Sequence, residues 1–155
     1  MTTFDGDLTP PVGRFALVAA RFNQVVVEQL VAGARSGLKR HGVPDDAIDL
    51  VWVPGSFEIP LIAKRLAESR RYAAVICLGA IIKGETDHYD FVASGAAHGI
   101  AQASLASGLP VIFGILTCDN LEQALNRAGG KSGNKGYDAA VAAIEMVNLL
   151  GRLPC

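Results

Sequence analysis

The sequence predicts an open α/β sheet: four parallel strands with helices on both faces, a three-layer α/β/α domain. Three observations lead there. Four short apolar runs, Ala16–Ala20, Leu50–Val53, Ala74–Ile82 and Val111–Cys118, are rich in Val and Ile and hardly alternate with polar residues, the pattern of strands buried on both faces. Segments with helical period lie between the runs. Connections of that length join parallel strands through right-handed crossovers.

Each element is justified in turn. Residues 1–13, with Pro10 and Pro11, form an extended arm ahead of a single domain over 14–155. The first strand ends at Arg21-Phe22-Asn23. Val27, Leu30, Val31, Ala34 and Leu38 then follow i, i+3, i+4, i+7 and i+11, one face of a helix. The second strand ends at Pro54-Gly55-Ser56-Phe57-Glu58, and Ile59, Ile62, Ala63 and Leu66 repeat the helical spacing. The third runs into Lys83-Gly84-Glu85-Thr86-Asp87-His88, and residues 89–107, dominated by Ala, Gly and Ser, suit a helix packed closely on its neighbours. After the fourth, Asp119 with Glu122 three residues later reads as an N-cap pair for a helix carrying Leu121, Ala124 and Leu125. The segment from Arg127 to Gly136 joins this to a last helix from about Tyr137 to Leu150, burying Ala140, Val141, Ile144 and Val147.

Composition narrows the function classes. With 155 residues, half of them apolar and a fifth charged, the chain fills one compact domain with a real core. A net charge of −1 gives no electrostatic case for nucleic acid or an anionic membrane. No apolar run reaches the roughly 20 residues of a membrane span. The amino-terminal stretch lacks the basic and apolar regions of a secretory signal. Cys77, Cys118 and Cys155 are odd in number and widely spaced, and nothing resembles a Cys/His metal cluster. A reducing, cytoplasmic setting without a structural metal is expected. The mean hydropathy of +0.31 is high for a small monomer and suggests apolar subunit contacts.

In open parallel sheets ligands bind beyond the carboxyl ends of the strands, and there the unusual residues gather. Phe22 either stacks on a planar ligand ring or folds back into the core. Ser56 can cap the following helix, while Glu58 lies in a first turn whose dipole favours a carboxylate. Gly84-Glu85-Thr86 precedes a helix, so either its amides make a phosphate-binding turn or Thr86 is a simple N-cap, the role that local pattern alone favours. His88 falls in the first turn of that helix, beside any bound anion. An imidazole of ordinary pKa near 6.5 exchanges protons at neutral pH. His41 and His98 read as helix-end and helix-face residues. The Gly130-Lys131-Ser132 triplet fails as a phosphate-binding P-loop, because position 125 is Leu and no strand precedes it. Arg127 and Lys135 are either solvated charges or the rest of an anion site.

The stretches RFN, VPGSFEIP, LGAIIKGETDHYDFV, FGILT and ALNRAGGKSGNKGYDAA, in this order and spacing, resemble the lumazine synthase family over residues 14–150. The resemblance implies a flavodoxin-like fold. It also implies condensation of 5-amino-6-(ribitylamino)uracil with 3,4-dihydroxy-2-butanone 4-phosphate, without metal or organic cofactor. Roles carried over by position make His88 the proton-transferring residue. The ribitylaminouracil would be held by Phe22, Asn23, Ser56, Phe57, Glu58, Ala80, Ile81, Ile82 and Phe113. The butanone phosphate would be held by Glu85, Thr86, Arg127 and Lys135. Phe113 and Arg127 would come from an adjacent subunit. Departures from the family pattern are Ala80 where many relatives have Thr, Lys83 in place of Arg, and Glu85 in place of Gly or Gln.

The same resemblance implies a pentamer and, given the short link between the last two helices, a sixty-subunit icosahedral shell, with room for association with riboflavin synthase. Two other readings fit part of the pattern. A scaffold that holds a flavin without catalysis needs neither His88 nor Arg127. A generic flavodoxin-like phosphosugar enzyme leaves the aromatic positions 22 and 113 unexplained.

Overall fold

The computed structural model describes residues 1–154; Cys155 lies outside the described residues. The four apolar runs become strands β1 (Phe15–Ala20), β2 (Ile48–Val53), β3 (Ala74–Ile82) and β4 (Val111–Cys118). They form one parallel sheet in the order β2-β1-β3-β4. Helices α1 (Gln24–Arg40), α2 (Ile59–Glu68), α3 (His88–Ser107), α4 (Leu121–Arg127) and α5 (Lys135–Leu150) complete the chain. The three-layer architecture stands as expected.

Side-chain alternation along the strands splits the core in two. Phe15, Leu17, Ile76, Leu78 and Leu116 pack with Leu30 and Leu38 of α1 and Ile144 of α5. Ala16, Val18, Val75, Cys77 and Ile115 pack with Ile59 of α2 and Ile100 of α3. Being buried on both faces holds fully for β1 and very nearly for β3, the two inner strands. The outer strands depart from that expectation. Leu50 of β2 is 41% exposed and Phe113 of β4 is 38% exposed, because each sits on a strand with one open edge.

Three local expectations are corrected. Asn120, not Asp119, caps α4: its backbone is extended and its side chain accepts from the Gln123 amide. The side chain of Gln123 in turn accepts from the amide of Asp119. The last helix begins at Lys135 and buries Gly136, Ala139, Ala140, Ala143 and Ile144, leaving Val141 and Val147 only half-buried. The glycine-rich link before it is a small antiparallel hairpin, β5 (Ala128–Gly130) with β6 (Gly133–Asn134).

Close helix contacts explain part of the small-residue content. Gly136 lies directly against the backbone carbonyl of Leu30, so α5 meets α1 where a side chain would collide. Gly95 and Gly99 of α3 face Phe57 and Pro60. At the amino edge of the sheet, Arg14 donates to Asp49 through both Nε and NH2, and Tyr72 Oη donates to the same carboxylate at 2.8 Å. These bonds staple the entries of β1, β2 and β3. They hold the Asp49 carboxyl below the usual carboxylate range, Arg14 contributing most. The arm lies along the end of α5, where Asn148 donates to the carbonyls of Asp7 and Thr9 and Arg152 pairs with Asp7. Among the described residues no helix is long and apolar enough to cross a membrane.

Candidate active site

The carboxyl ends of β1, β2 and β3 carry most of the sequence-predicted site. The chain leaves β1 through Arg21-Phe22-Asn23, whose amides at 21 and 22 donate to the carbonyls of Val53 and Pro54 at 2.8 and 3.1 Å. This binds the end of β1 to the end of β2. The Phe22 ring stays out of the core at 72% exposed, which settles the choice between stacking surface and core residue in favour of an open aromatic face. Asn23 has a left-handed backbone, with φ of 60°. Its side chain does not cap α1. It crosses to β3, where Nδ2 donates to the carbonyl of Ala80 at 2.8 Å.

After β2 comes a 3-10 turn over Ser56–Glu58. Ser56 makes no capping hydrogen bond, contrary to the capping reading. It is the buried polar residue of the described chain, 5% exposed, with its hydroxyl against Gly79 of β3. A Cβ at position 79 would come within 2.5 Å of Oγ, so only glycine leaves Ser56 its seat. Phe57 and Glu58 are exposed beside it. Phe57 leans on Gly95 of α3, and the Glu58 carboxylate folds back over Gly55.

Beyond β3 the chain opens into Lys83–Asp87. The Lys83 amide donates to the Cys118 carbonyl at 2.8 Å, which ties the loop's start to β4. Among the described residues the amides of Gly84, Glu85 and Thr86 donate to no partner. They precede α3, whose first residue is His88. Thr86 Oγ1 accepts from the His88 amide at 3.4 Å, a long local bond, and Asp87 occupies the capping position. The loop is therefore an exposed run of free donors at the positive end of a 20-residue helix, with an exposed imidazole at its rim.

Phe113, Arg127 and Lys135 lie together elsewhere. They line an open groove of ≈ 420 Å³ along β4, α4 and α5, with Ile115, Thr117, Ser132 and Asp138. Two cations face one carboxylate there, so the groove favours an anion. Arg127 donates to the Gln123 carbonyl at 3.3 Å, which leaves most of its guanidinium fork free. Its charge is felt by the Cys118 thiol, although burial outweighs it and pushes that thiol up. Phe113 pairs in register with Cys77, five residues before Ile82. At about 3.3 Å per residue its ring sits roughly 16 Å down the sheet from the carboxyl edge.

The structure thus brings together Phe22, Asn23, Ser56–Glu58, Ala80–Ile82, Glu85, Thr86 and His88 at one edge, and gathers Phe113, Arg127 and Lys135 in a second cluster. Sequence reasoning missed Ser132 and Asp138, and also Gly79 as the seat of Ser56. The available signals were the three-residue spacing of Lys135 and Asp138 on one helical turn and a glycine interrupting an apolar strand.

Comparison with known proteins gives a consistent match. A family model described as 6,7-dimethyl-8-ribityllumazine synthase matches residues 13–151. Proteins of that name from two strains of Clostridium kluyveri are each 55% identical over 153 residues, covering 99% of this chain and 99% of theirs.

Proposed function

Since the chain belongs to the 6,7-dimethyl-8-ribityllumazine synthase family, we propose that it condenses 5-amino-6-(D-ribitylamino)uracil with 3,4-dihydroxy-2-butanone 4-phosphate. The reaction releases phosphate and water and is the penultimate step of riboflavin biosynthesis. The observation that carries the assignment is the run of unpaired amides at Gly84, Glu85 and Thr86 beside His88 at the start of α3. Free donors at a helix N-terminus suit a phosphate ester, and the imidazole stands where the phosphate-bearing substrate reacts.

The steps are attack of the uracil's amine on the ketone, loss of water to an imine, elimination of phosphate, and ring closure with loss of water. Each moves a proton, and His88 is the carrier. Phe22, open on one face, stacks on the pyrimidine. Ser56, Phe57 and Glu58 hold the ribityl chain, with the Ser56 hydroxyl seated against Gly79 of β3. Ala80, Ile81 and Ile82 meet the pyrimidine edge through the backbone. Glu85 and Thr86 bind the phosphate by their amides, so the Glu85 carboxylate can turn into solvent. Arg127, with Lys135 near it, completes the phosphate site as a planar donor fork.

Phe113 supports a site shared between subunits. Its register, far down β4 from its own chain's pyrimidine edge, suits contact with a neighbour's site better than with its own. Solvent-exposed Phe57, Leu61, Phe91 and Leu105 also suit burial in an assembly. The proposed assembly is a pentamer packed into a sixty-subunit icosahedral shell, cytoplasmic, with riboflavin synthase as a companion. The reaction test is direct. Purified protein given both substrates should form 6,7-dimethyl-8-ribityllumazine and inorganic phosphate in equal amounts; turnover no faster than the uncatalysed mixture refutes the assignment.

A further inference from the structure

Resting on the active-site reading above, we infer that Asn23 is a positioning residue for the pyrimidine: it acts through Phe22, whose backbone it ties to the end of β3, rather than by touching the substrate. The backbone makes the first case. Asn23 and Arg70 are the two described non-glycine residues with positive φ. Asparagine tolerates that conformation, and it also favours helix N-caps, where its side chain ordinarily accepts from the first turn. Here the amides of Val26 and Val27 are taken by the backbone carbonyl of Asn23, at 3.0 and 3.1 Å. The side chain is released from capping.

Its new partner is the second case. Pairing between β1 and β3 ends at Ala19 and Leu78, while β3 continues beside β4 to Ile82 and Cys118. The last turns of β3 therefore overhang β1 with an open side. Asn23 Nδ2 fills the first gap by donating to the Ala80 carbonyl. Strand alternation places the N–H and C=O of Ile82 on that same open side, two residues further on. The carboxamide thus occupies one strand-edge carbonyl and leaves the Ile82 groups as the ones free for a planar ring.

The third case is what the clamp holds. Phe22 is the residue before Asn23, and its amide is fixed on the opposite side by Pro54. The ring is 72% exposed, so no packing holds it, and the backbone on either side decides where it is presented. With Pro54 bonded on one flank and Ala80 on the other, the backbone that carries Phe22 is tied to the ends of both β2 and β3. Asn23 closes the second half of that clamp.

The test is a double-mutant cycle on the assembled enzyme. Asn23→Gly keeps the left-handed backbone without strain and removes the clamp. Asn23→Asp keeps the shape but turns an acceptor toward the Ala80 carbonyl. Both should raise the KM for the ribitylaminouracil about tenfold, the scale of one lost hydrogen bond, with the KM for butanone phosphate within about twofold and the solution mass unchanged. In a Phe22→Ala background the same Asn23 changes should cost less than about twofold, because the ring they position is gone. Multiplicative losses in the double variants would mean that Asn23 binds the substrate itself. Equal rises in both KM values would mean general loosening of the site. Either result overturns the inference while leaving the reaction assignment intact, and absence of lumazine formation by the wild-type protein would instead remove the reaction reading.

Discussion

His88 illustrates how much of the site rests on single residues. It is exposed, starts α3, and adjoins the free amides of residues 84–86. Replacing it with Ala should lower kcat about a hundredfold, the lower part of the range for a lost general acid–base because water can take over some proton transfers; single-turnover product formation measures it. Arg127→Ala should raise the KM for butanone phosphate at least about tenfold, with that for the ribitylaminouracil little changed, as steady-state kinetics with each substrate varied in turn would reveal. His88 was legible as a candidate because an unusual polar side chain follows an apolar strand at its carboxyl end, whereas Arg127, at the end of α4, was singled out by the family resemblance rather than by local pattern. The cap of α4 was not. Asp119 with Glu122 and Asn120 with Gln123 present the same spacing, and only the extended backbone of Asn120 decides between them. The partner of Asn23, 57 residues away, is likewise invisible to local pattern.

Among the elements, the inner strands and the long helices could be read from period and apolar content, since burial on both faces leaves no room for polar residues. The β5–β6 hairpin could not, because its glycines signal a turn but not a ladder. Close contacts between elements were also hidden. Gly136→Ala would force α5 off the Leu30 carbonyl of α1, and a loss of about 3 kcal/mol is expected, read as a lower urea midpoint. The staple joining the strand entries gives a pH effect. Arg14 and Tyr72 depress the Asp49 carboxyl. Its stabilisation is therefore present above the ordinary carboxylate pKa of about 3.9 and is lost as pH falls through the lower folded value. Asp49→Asn should lower the melting temperature at pH 7 and flatten the decline below about pH 4, as thermal melts across pH 2–7 would record.

At the scale of the whole molecule, an isolated chain leaves an open candidate edge at the strand ends, a cationic groove and several bare aromatic side chains. Sedimentation or light scattering should find a closed shell, and a pentamer at least; a stable monomer would break the shared-site reading. The same molecule carries a built-in clock. Cys77 sits in the middle of β3 with no exposed surface, and burial pushes its thiol up. A thiolate-seeking reagent can reach it only when the central strand leaves the sheet. The rate at which that sulfur is alkylated therefore counts openings of the core itself, and would tell how often the central strand is lost while the rest of the fold persists.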